Sequence, residues 1–148
     1  MNQLWILDTD HLSLFQQGHP EVTQRIKRKN PENLAVTVIT LEEKLRGRLK
    51  NINEYNNKPL KSDKLIAAYK RLADEIEFFK NIRIFDFDNR AFEKYEVLVR
   101  EKRVRIGTQD LRIAAIAESV HGILVTRNTQ DFEKAYLLLE DWTVKLPT

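Results

Sequence analysis

Leu4-Trp5-Ile6-Leu7-Asp8-Thr9-Asp10 is the stretch that decides the fold, because four apolar residues run directly into acidic and hydroxyl side chains. A continuous apolar run of this length is typical of a central strand that is buried on both faces of a parallel sheet. Asp8 would then follow the carboxyl end of that strand, which is where ligands bind in open α/β sheets. Asp8 is therefore the first candidate functional residue.

Length and composition indicate one globular domain, predicted over residues 1–148, since the chain is long enough for one core and too short for two. Apolar residues make up 42% of the chain and charged residues 32%, which is typical of soluble proteins. No apolar run approaches the roughly 20 residues of a membrane span. The N-terminus Met1-Asn2-Gln3 shows no secretory signal, so we expect a cytoplasmic protein without a membrane partner.

The residue types that remain for metal binding are mainly carboxylates. The sequence has no cysteine, which excludes disulfides and thiolate metal sites. His11, His19 and His121 are too far apart in sequence to suggest a zinc centre by their spacing. We therefore expect any metal to be held by oxygen.

Charge adds a weaker indication about partners. The net charge is +3 and the isoelectric point is near 9.1, which is compatible with a polyanionic partner. Basic residues concentrate in residues 25–29, 44–50 and 100–105, although each run alone is also typical of a solvated helix face.

Apolar patterning predicts strands that alternate with helices along the chain. Strands are predicted at residues 4–7, 34–39, 82–87, 123–126 and, as an edge strand, 142–146. Helices are predicted at residues 10–17, 21–29, 41–49 with Thr40 as cap, 65–79, 89–100 with Asp88 as cap, 111–120 and 132–138. This order favours an α/β fold with a central, mostly parallel sheet of four to five strands flanked by helices.

Acidic residues recur beside these predicted strands and helices, at Glu43, Asp110 and Asp131 as well as Asp8. Each has an ordinary structural explanation: Glu43 completes a capping box with Thr40, and Asp110 and Asp131 fit first-turn or cap positions. For Asp10 we prefer the role of helix cap. Capping does not explain why several acids would converge at one sheet edge.

Convergent carboxylates repel each other and raise one another's pKa values unless a cation lies among them. Mg²⁺ and Mn²⁺ take oxygen ligands and suit a site without cysteine. Paired ions of this kind can activate a water molecule and stabilise the leaving oxygen in phosphodiester hydrolysis. The acids therefore predict a Mg²⁺ or Mn²⁺ site that serves a hydrolase.

Four motifs occur in an order that resembles the PIN-domain ribonucleases, specifically the VapC toxins of bacterial toxin-antitoxin pairs. They span almost the whole chain: Leu7-Asp8-Thr9-Asp10, Val38-Ile39-Thr40-Leu41-Glu42-Glu43-Lys44-Leu45-Arg46-Gly47, Ile106-Gly107-Thr108-Gln109-Asp110-Leu111-Arg112-Ile113-Ala114-Ala115, and Leu124-Val125-Thr126-Arg127-Asn128-Thr129-Gln130-Asp131-Phe132. The resemblance implies a three-layer PIN-like fold and a metal-dependent RNA endonuclease. It also implies inhibition by a small cognate antitoxin, and a homodimer.

The same resemblance assigns roles to residues. Asp8, Glu43 and Asp110 match the family's three core acids, and Asp131 matches a fourth, more variable acid. Pocket positions are matched by small polar or acidic side chains: Thr9, Asp10, Thr126 and Asn128.

The chain departs from the family pattern at several positions. Asp10 stands where asparagine is frequent, and Asn128 where aspartate is frequent. Lys44 and Arg46 stand where relatives are more often apolar, on a surface that contacts the antitoxin in the family.

The function that we expect is hydrolysis of RNA phosphodiester bonds by a water molecule activated at a carboxylate-bound Mg²⁺ or Mn²⁺. Arg112 and Arg127 are candidates for holding the RNA backbone. One alternative is a receiver-like signalling domain with Asp86 or Asp88 as phosphoacceptor, although the lysine it needs after a late strand is replaced by Arg127 and Asn128. The other is a catalytically silent PIN domain that only binds RNA or protein.

Overall fold

Five parallel strands form the central sheet in the computed structural model, which describes residues 3–56, 58, 62–101, 106–132 and 135–146. The strands lie in the order β3-β2-β1-β4-β5. Their bounds are β1 Trp5–Leu7, β2 Leu34–Thr37, β3 Arg83–Phe85, β4 Ile123–Val125 and β5 Leu138–Glu140. The predicted α/β class with a parallel sheet is confirmed, and the apolar run before Asp8 forms the central strand.

Six α-helices connect or follow these strands within the described ranges. Their bounds are α1 Thr9–Gln16, α2 Pro20–Lys27, α3 Val38–Asn56, α4 Ser62–Phe79, α5 Asn89–Glu101 and α6 Thr108–Ser119, with a short 3₁₀ helix at Pro31–Asn33. None of these described helices is long and apolar enough to cross a membrane.

The sheet separates two apolar cores, which gives the protein its three layers. Side chains alternate between the cores along each strand, so that Ile6 packs on one face and Leu7 on the other. The Ile6 face is covered mainly by α5 and α6, and its core includes the alanines 114, 115 and 117 of α6. The Leu7 face is covered mainly by α1, α2 and α4, and it includes the fully buried Trp142.

The start of α3 differs from the sequence prediction. We predicted a strand through Ile39 and a helix capped by Thr40, but β2 ends at Thr37 and α3 begins at Val38. Thr37 supplies the cap instead, because its Oγ1 accepts a hydrogen bond from the Thr40 amide at 3.3 Å. The β-branched residues Val38 and Ile39 therefore lie in the first helical turn, where Ile39 is buried in the core.

The other end of α3 and the start of α6 also extend beyond the predictions. The polar character of residues 51–58 predicted a helix-to-helix connection there, but residues 51–56 continue α3. Residue 57 of that predicted connection lies outside the described residues. Helix α6 begins at Thr108 rather than at Leu111, so Asp110 lies within its first turn.

The C-terminal prediction is wrong in both elements. We predicted a helix at residues 132–138 and an edge strand at 142–146, but the edge strand is β5 and Trp142 lies in the turn after it. Residues 133 and 134 lie outside the described part of the chain. Trp142 is fully buried in the core on the Leu7 face. Its indole Nε1 donates to Glu140 Oε1 at 2.8 Å, and Trp5 Nε1 donates to the other carboxylate oxygen at 3.3 Å.

Two glycines are expected to respond to alanine with opposite changes in stability. A Cβ at Gly122 would lie 2.7 Å from Cδ1 of the fully buried Ile6, whereas a Cβ at Gly47 in α3 meets no atom within 4 Å. We expect Gly122→Ala to lower the free energy of unfolding by about 1–3 kcal/mol through overpacking. Gly47→Ala should raise it by about 0.5–1 kcal/mol, because glycine disfavours a helix interior.

Urea denaturation of the two variants beside the wild-type protein measures both free energies. A Gly122→Ala protein as stable as wild type would contradict the close packing of β1 against the start of β4.

Candidate metal centre

Asp8 lies directly after β1 at the centre of the sheet. Its backbone amide continues the sheet pairing by donating to the Val125 carbonyl at 3.0 Å. Its carboxylate is the N-cap of α1, where Oδ1 accepts from the His11 amide at 2.7 Å. Asp8 is only 8% exposed, so the strand and the cap together hold a nearly buried carboxylate at the sheet edge.

Asp10 is a first-turn residue of α1, and the cap role that we preferred for it belongs to Asp8. The reason is geometric, because only the residue that precedes the helix can accept from the free amides of its first turn. The Asp10 carboxylate instead pairs with Arg127, whose Nε and Nη2 donate to it at 2.6 and 2.9 Å. Arg127 therefore neutralises one acid beside Asp8.

Glu43 is held by two threonines rather than by a capping box. Thr9 Oγ1 donates to Glu43 Oε1 at 2.7 Å, and the two hydroxyl oxygens of Thr9 and Thr40 are 2.9 Å apart. Because the single Thr9 proton is used on the carboxylate, the Thr40 hydroxyl must donate to Thr9. These two hydrogen bonds join the first turn of α1 to α3 and hold Glu43 at the sheet edge that carries Asp8.

Asp110 completes the acidic cluster from the first turn of α6. Burial raises the pKa of Asp110, and the negative charges of Glu43, Asp8 and Asp10 raise it further. Asp110 is therefore a partly buried carboxyl group close to other acids. The structure therefore brings together four of the predicted pocket acids: Asp8, Asp10, Glu43 and Asp110.

Asp131 lies in the turn that follows β4 and is exposed. The carboxylates that raise the pKa of Asp110 are Glu43, Asp8 and Asp10, so the geometry adds no support for Asp131 as a ligand. Thr126 is fully buried at the end of β4, where its hydroxyl accepts from the Asn128 amide at 3.1 Å. Thr126 and Asn128 thus shape the turn that presents Arg127.

His11 lies near these acids, although the spacing of the histidines in the sequence did not indicate a metal site. Its side chain is fully buried, and its Nδ1 lies 3.2 Å from Asp8 Oδ1. Ligand atoms of Asp8, Asp10 and His11 all lie within 4.8 Å of one another. The signal that could have identified it is its position three residues after Asp8, which places both side chains at the same helix end.

The two arginines predicted to hold RNA have internal partners as well. Arg127 binds Asp10, as described above. Arg112 Nη1 donates to Gln109 Oε1 at 3.0 Å, and its guanidinium lies 5.6 Å from the centre of the Tyr95 ring. Arg127 thus lies beside the acids. The contact of both arginines with RNA stays a prediction.

The donor set fits a hard divalent cation. Asp8, Glu43 and Asp110 offer carboxylate oxygens, which Mg²⁺ and Mn²⁺ prefer. Arg127 is a positive side chain beside these acids, and it is paired with Asp10. Beyond the effect of burial, repulsion from the neighbouring acids raises the pKa of Asp110, and a divalent ion would offset that repulsion. These residues can therefore hold Mg²⁺ or Mn²⁺.

Solved structures with the same fold come from several bacteria. VapBC2 of Rickettsia felis, solved bound to a promoter DNA fragment, is 24% identical with a TM-score of 0.71, covering 95% of this chain and 99% of that chain. VapBC-1 of nontypeable Haemophilus influenzae is 21% identical with a TM-score of 0.73, covering 96% and 100%. FitAcB of Neisseria gonorrhoeae is 22% identical with a TM-score of 0.71, covering 93% and 97%.

No curated protein sequence matches the chain. The model of the PIN domain family matches residues 6–138, a range that begins in β1 and contains every acid of the cluster. This chain therefore belongs to the PIN domain family.

Proposed function

We propose that this protein is a VapC-type toxin, a metal-dependent endoribonuclease that hydrolyses RNA phosphodiester bonds. The observation that carries the proposal is the cluster of Asp8, Glu43 and Asp110, in which burial raises the pKa of Asp110 and the charges of the other acids raise it further. Such a cluster is unfavourable for folding alone, which points to a role in holding cations. The shared fold with VapBC proteins supports the toxin class.

In this proposal each side chain has a distinct task. Asp8, Glu43 and Asp110 hold Mg²⁺ or Mn²⁺, with Asp131 as a fourth, exposed acid. When bound, the ion supplies activation of water and stabilisation of the leaving oxygen. Thr9 orients Glu43 through its 2.7 Å hydrogen bond. In this proposal Arg112 and Arg127 contact RNA phosphates.

A polar groove beside the acids offers a path for the RNA strand. It encloses about 460 Å³ and follows one face of α3 away from the metal centre. Its lining includes Thr9 and Glu43 of the cluster and three cations, Lys44, Arg48 and Lys50. Gly47 lies between them and leaves the groove open, since a Cβ there would meet no atom within 4 Å.

Glu75 of α4 fixes the two inner cations of the groove. It is only 4% exposed, and its Oε2 accepts from Arg48 Nε and Nη2 at 3.2 and 3.0 Å. Its Oε1 lies 4.0 Å from Lys44 Nζ, which also donates to Ser13 Oγ at 3.0 Å. One buried anion thus holds two cations in fixed positions beside the groove, whose lining also carries the acids Glu43 and Glu54.

We also propose a small antitoxin as the regulatory partner, and a homodimer. The antitoxin is supported by the relatives, whose names describe VapBC pairs and a toxin-antitoxin complex. The dimer is supported by α5, where Phe92 and Val99 are 47% and 45% exposed. These two side chains are seven residues apart and share one helix face, as expected for an apolar contact surface.

Asp8→Asn is expected to lower RNA cleavage by at least about a hundredfold, the usual scale for losing one preorganised charge in an active site. The measurement is cleavage of RNA by purified, antitoxin-free protein with Mn²⁺. Asp86→Asn is the matched control, because Asp86 is an exposed acid after β3 and outside the cluster. Equal cleavage by the Asp8 variant and wild type would contradict the metal-site assignment.

The same pair tests the receiver-like alternative. A receiver domain would form an aspartyl phosphate at Asp86 or Asp88 with a small phosphodonor. Asp88 already caps α5 by accepting from the Ala91 amide at 2.9 Å, and Asp86 is exposed and outside the acidic cluster, so we expect no phosphorylation at either residue. A stable phosphate lost in Asp86→Asn would favour the receiver function.

Asp110→Asn is expected to raise the melting temperature of the metal-free protein at neutral pH. Because folding raises the pKa of Asp110, the folded state loses stability as the pH rises from the ordinary value of 3.8 through the raised one. Asparagine does not ionise and therefore avoids that loss. The difference in melting temperature between the variant and wild type should vanish in acid, where Asp110 is protonated. Mn²⁺ should stabilise wild type more than the variant.

Thermal melts across the pH range, with and without Mn²⁺, measure these differences. A stability difference that does not change with pH would show that the charge of Asp110 is not its cause.

Gly47→Glu is expected to weaken RNA binding by about tenfold, and Gly47→Lys should retain or strengthen it. The two side chains are of similar length and enter the same open space, so the pair compares charge rather than size. Binding of RNA to the Asp8→Asn background, measured against salt concentration, avoids cleavage and isolates the phosphate contacts. Equal binding by both Gly47 variants would rule out the groove as the RNA path.

A further inference from the structure

His11 occupies a fully buried position between the metal centre and the C-terminal turn. Its Nδ1 lies 3.2 Å from Asp8 Oδ1, and on the other side its Nε2 lies 3.2 Å from the backbone nitrogen of Trp142. The imidazole therefore joins the first turn of α1 to the segment that follows β5. Trp142 lies beyond residues 6–138, the range that matches the PIN family.

The contact with Trp142 determines which ring nitrogen carries the proton. A backbone N–H can only donate, so Nε2 must accept and is unprotonated. The remaining ring proton is then on Nδ1, where it donates to Asp8 Oδ1. Asp141 does not compete for Nε2, because its Oδ1 is 3.6 Å away and already accepts from the Thr143 amide and hydroxyl at 2.9 and 2.6 Å.

Both hydrogen bonds to Asp8 end on the same oxygen. The His11 amide at 2.7 Å and the His11 ring at 3.2 Å converge on Oδ1, so Oδ2 is the oxygen available to a cation. The ring itself has no nitrogen left for a metal, because Nε2 is used by Trp142 and Nδ1 by Asp8. His11 is thus unsuited to be a ligand, although its atoms lie within ligand distance of the acids.

We propose that His11 is a positioning residue for metal binding: anchored by the Trp142 amide, it fixes the rotamer of Asp8 by donating from Nδ1 to Oδ1. The inference rests on the proposed function in one respect, namely that Asp8 holds a divalent cation. Groups that orient metal ligands in this way change metal affinity by about 10- to 100-fold when removed. The C-terminal turn thereby becomes part of the metal centre.

Two substitutions separate the two hydrogen bonds of the ring. His11→Asn keeps an N–H at the Nδ1 position and can still donate to Asp8. His11→Gln keeps an acceptor at the Nε2 position and can still bind the Trp142 amide, but it places no donor at Asp8. Both remove the ring from the same buried site, so each controls for the packing loss of the other.

The first measurement is ¹⁵N NMR of the ring nitrogens of His11 in the metal-free, full-length wild-type protein. We expect protonated Nδ1 and unprotonated Nε2. The opposite tautomer, or protonation of both nitrogens at neutral pH, would overturn the proposal. This readout needs no variant and no catalytic activity, so it decides the question even if both substitutions prevent folding.

The second measurement is Mn²⁺ binding by wild type and the two variants, followed by electron paramagnetic resonance without RNA. We expect His11→Gln to weaken Mn²⁺ binding by at least about tenfold, and His11→Asn to stay within about threefold of wild type. Equal weakening in both, in proportion to their loss of melting temperature, would overturn the positioning role in favour of simple packing.

Mn²⁺ binding also distinguishes this inference from the proposed function. Wild-type protein that binds no Mn²⁺ would overturn the metal site and the positioning role together. Protein that binds Mn²⁺ with the expected order of variants, but cleaves no RNA, would support His11 and overturn only the nuclease proposal.

Discussion

Mutual repulsion among carboxylates at one sheet edge is the constraint on which the site depends. Asp8, Glu43 and Asp110 come from three different parts of the fold: Asp8 caps α1, Glu43 accepts from Thr9, and Asp110 lies in the first turn of α6. The sheet, two threonine hydroxyls and a helix terminus together keep charges close that would separate in a flexible chain. Burial and the neighbouring acids raise the pKa of Asp110, so its ionised form is disfavoured at this edge, and a bound cation would offset the repulsion between the acids.

The strand order explains how the acids meet. With β1 in the centre, the connection after β1 leads to β2 on one side, whereas the connection after β3 crosses to β4 on the other side, so the strand order changes direction at β1 and leaves a crevice there. Asp8 lies at that crevice. Helix α3 enters from the β2 side with Glu43, and α6 precedes β4 and brings Asp110, so a parallel sheet of this order makes the crevice acidic.

Much of this arrangement could be predicted from sequence, for identifiable reasons. The buried strand before Asp8, the amphipathic α4 and the Asp88 cap are local patterns, and local patterns were sufficient. The prediction was wrong where tertiary packing prevailed: Val38 and Ile39 are β-branched yet helical, because the sheet ends at Thr37 and Ile39 is needed in the core. His11 was missed because its partner, the Trp142 amide, is 131 residues away and backbone groups leave no trace in sequence.

The Glu140 carboxylate accepts hydrogen bonds from two tryptophan indoles, and this affects the fluorescence of the protein. Both tryptophans of the chain donate to that one carboxylate, and Lys29 Nζ lies 4.1 and 5.6 Å from their two rings. Their emission should therefore report on a single place, where the central strand meets the turn whose backbone anchors His11. Intrinsic tryptophan fluorescence can therefore report whether that turn is packed against the central strand, without any attached dye.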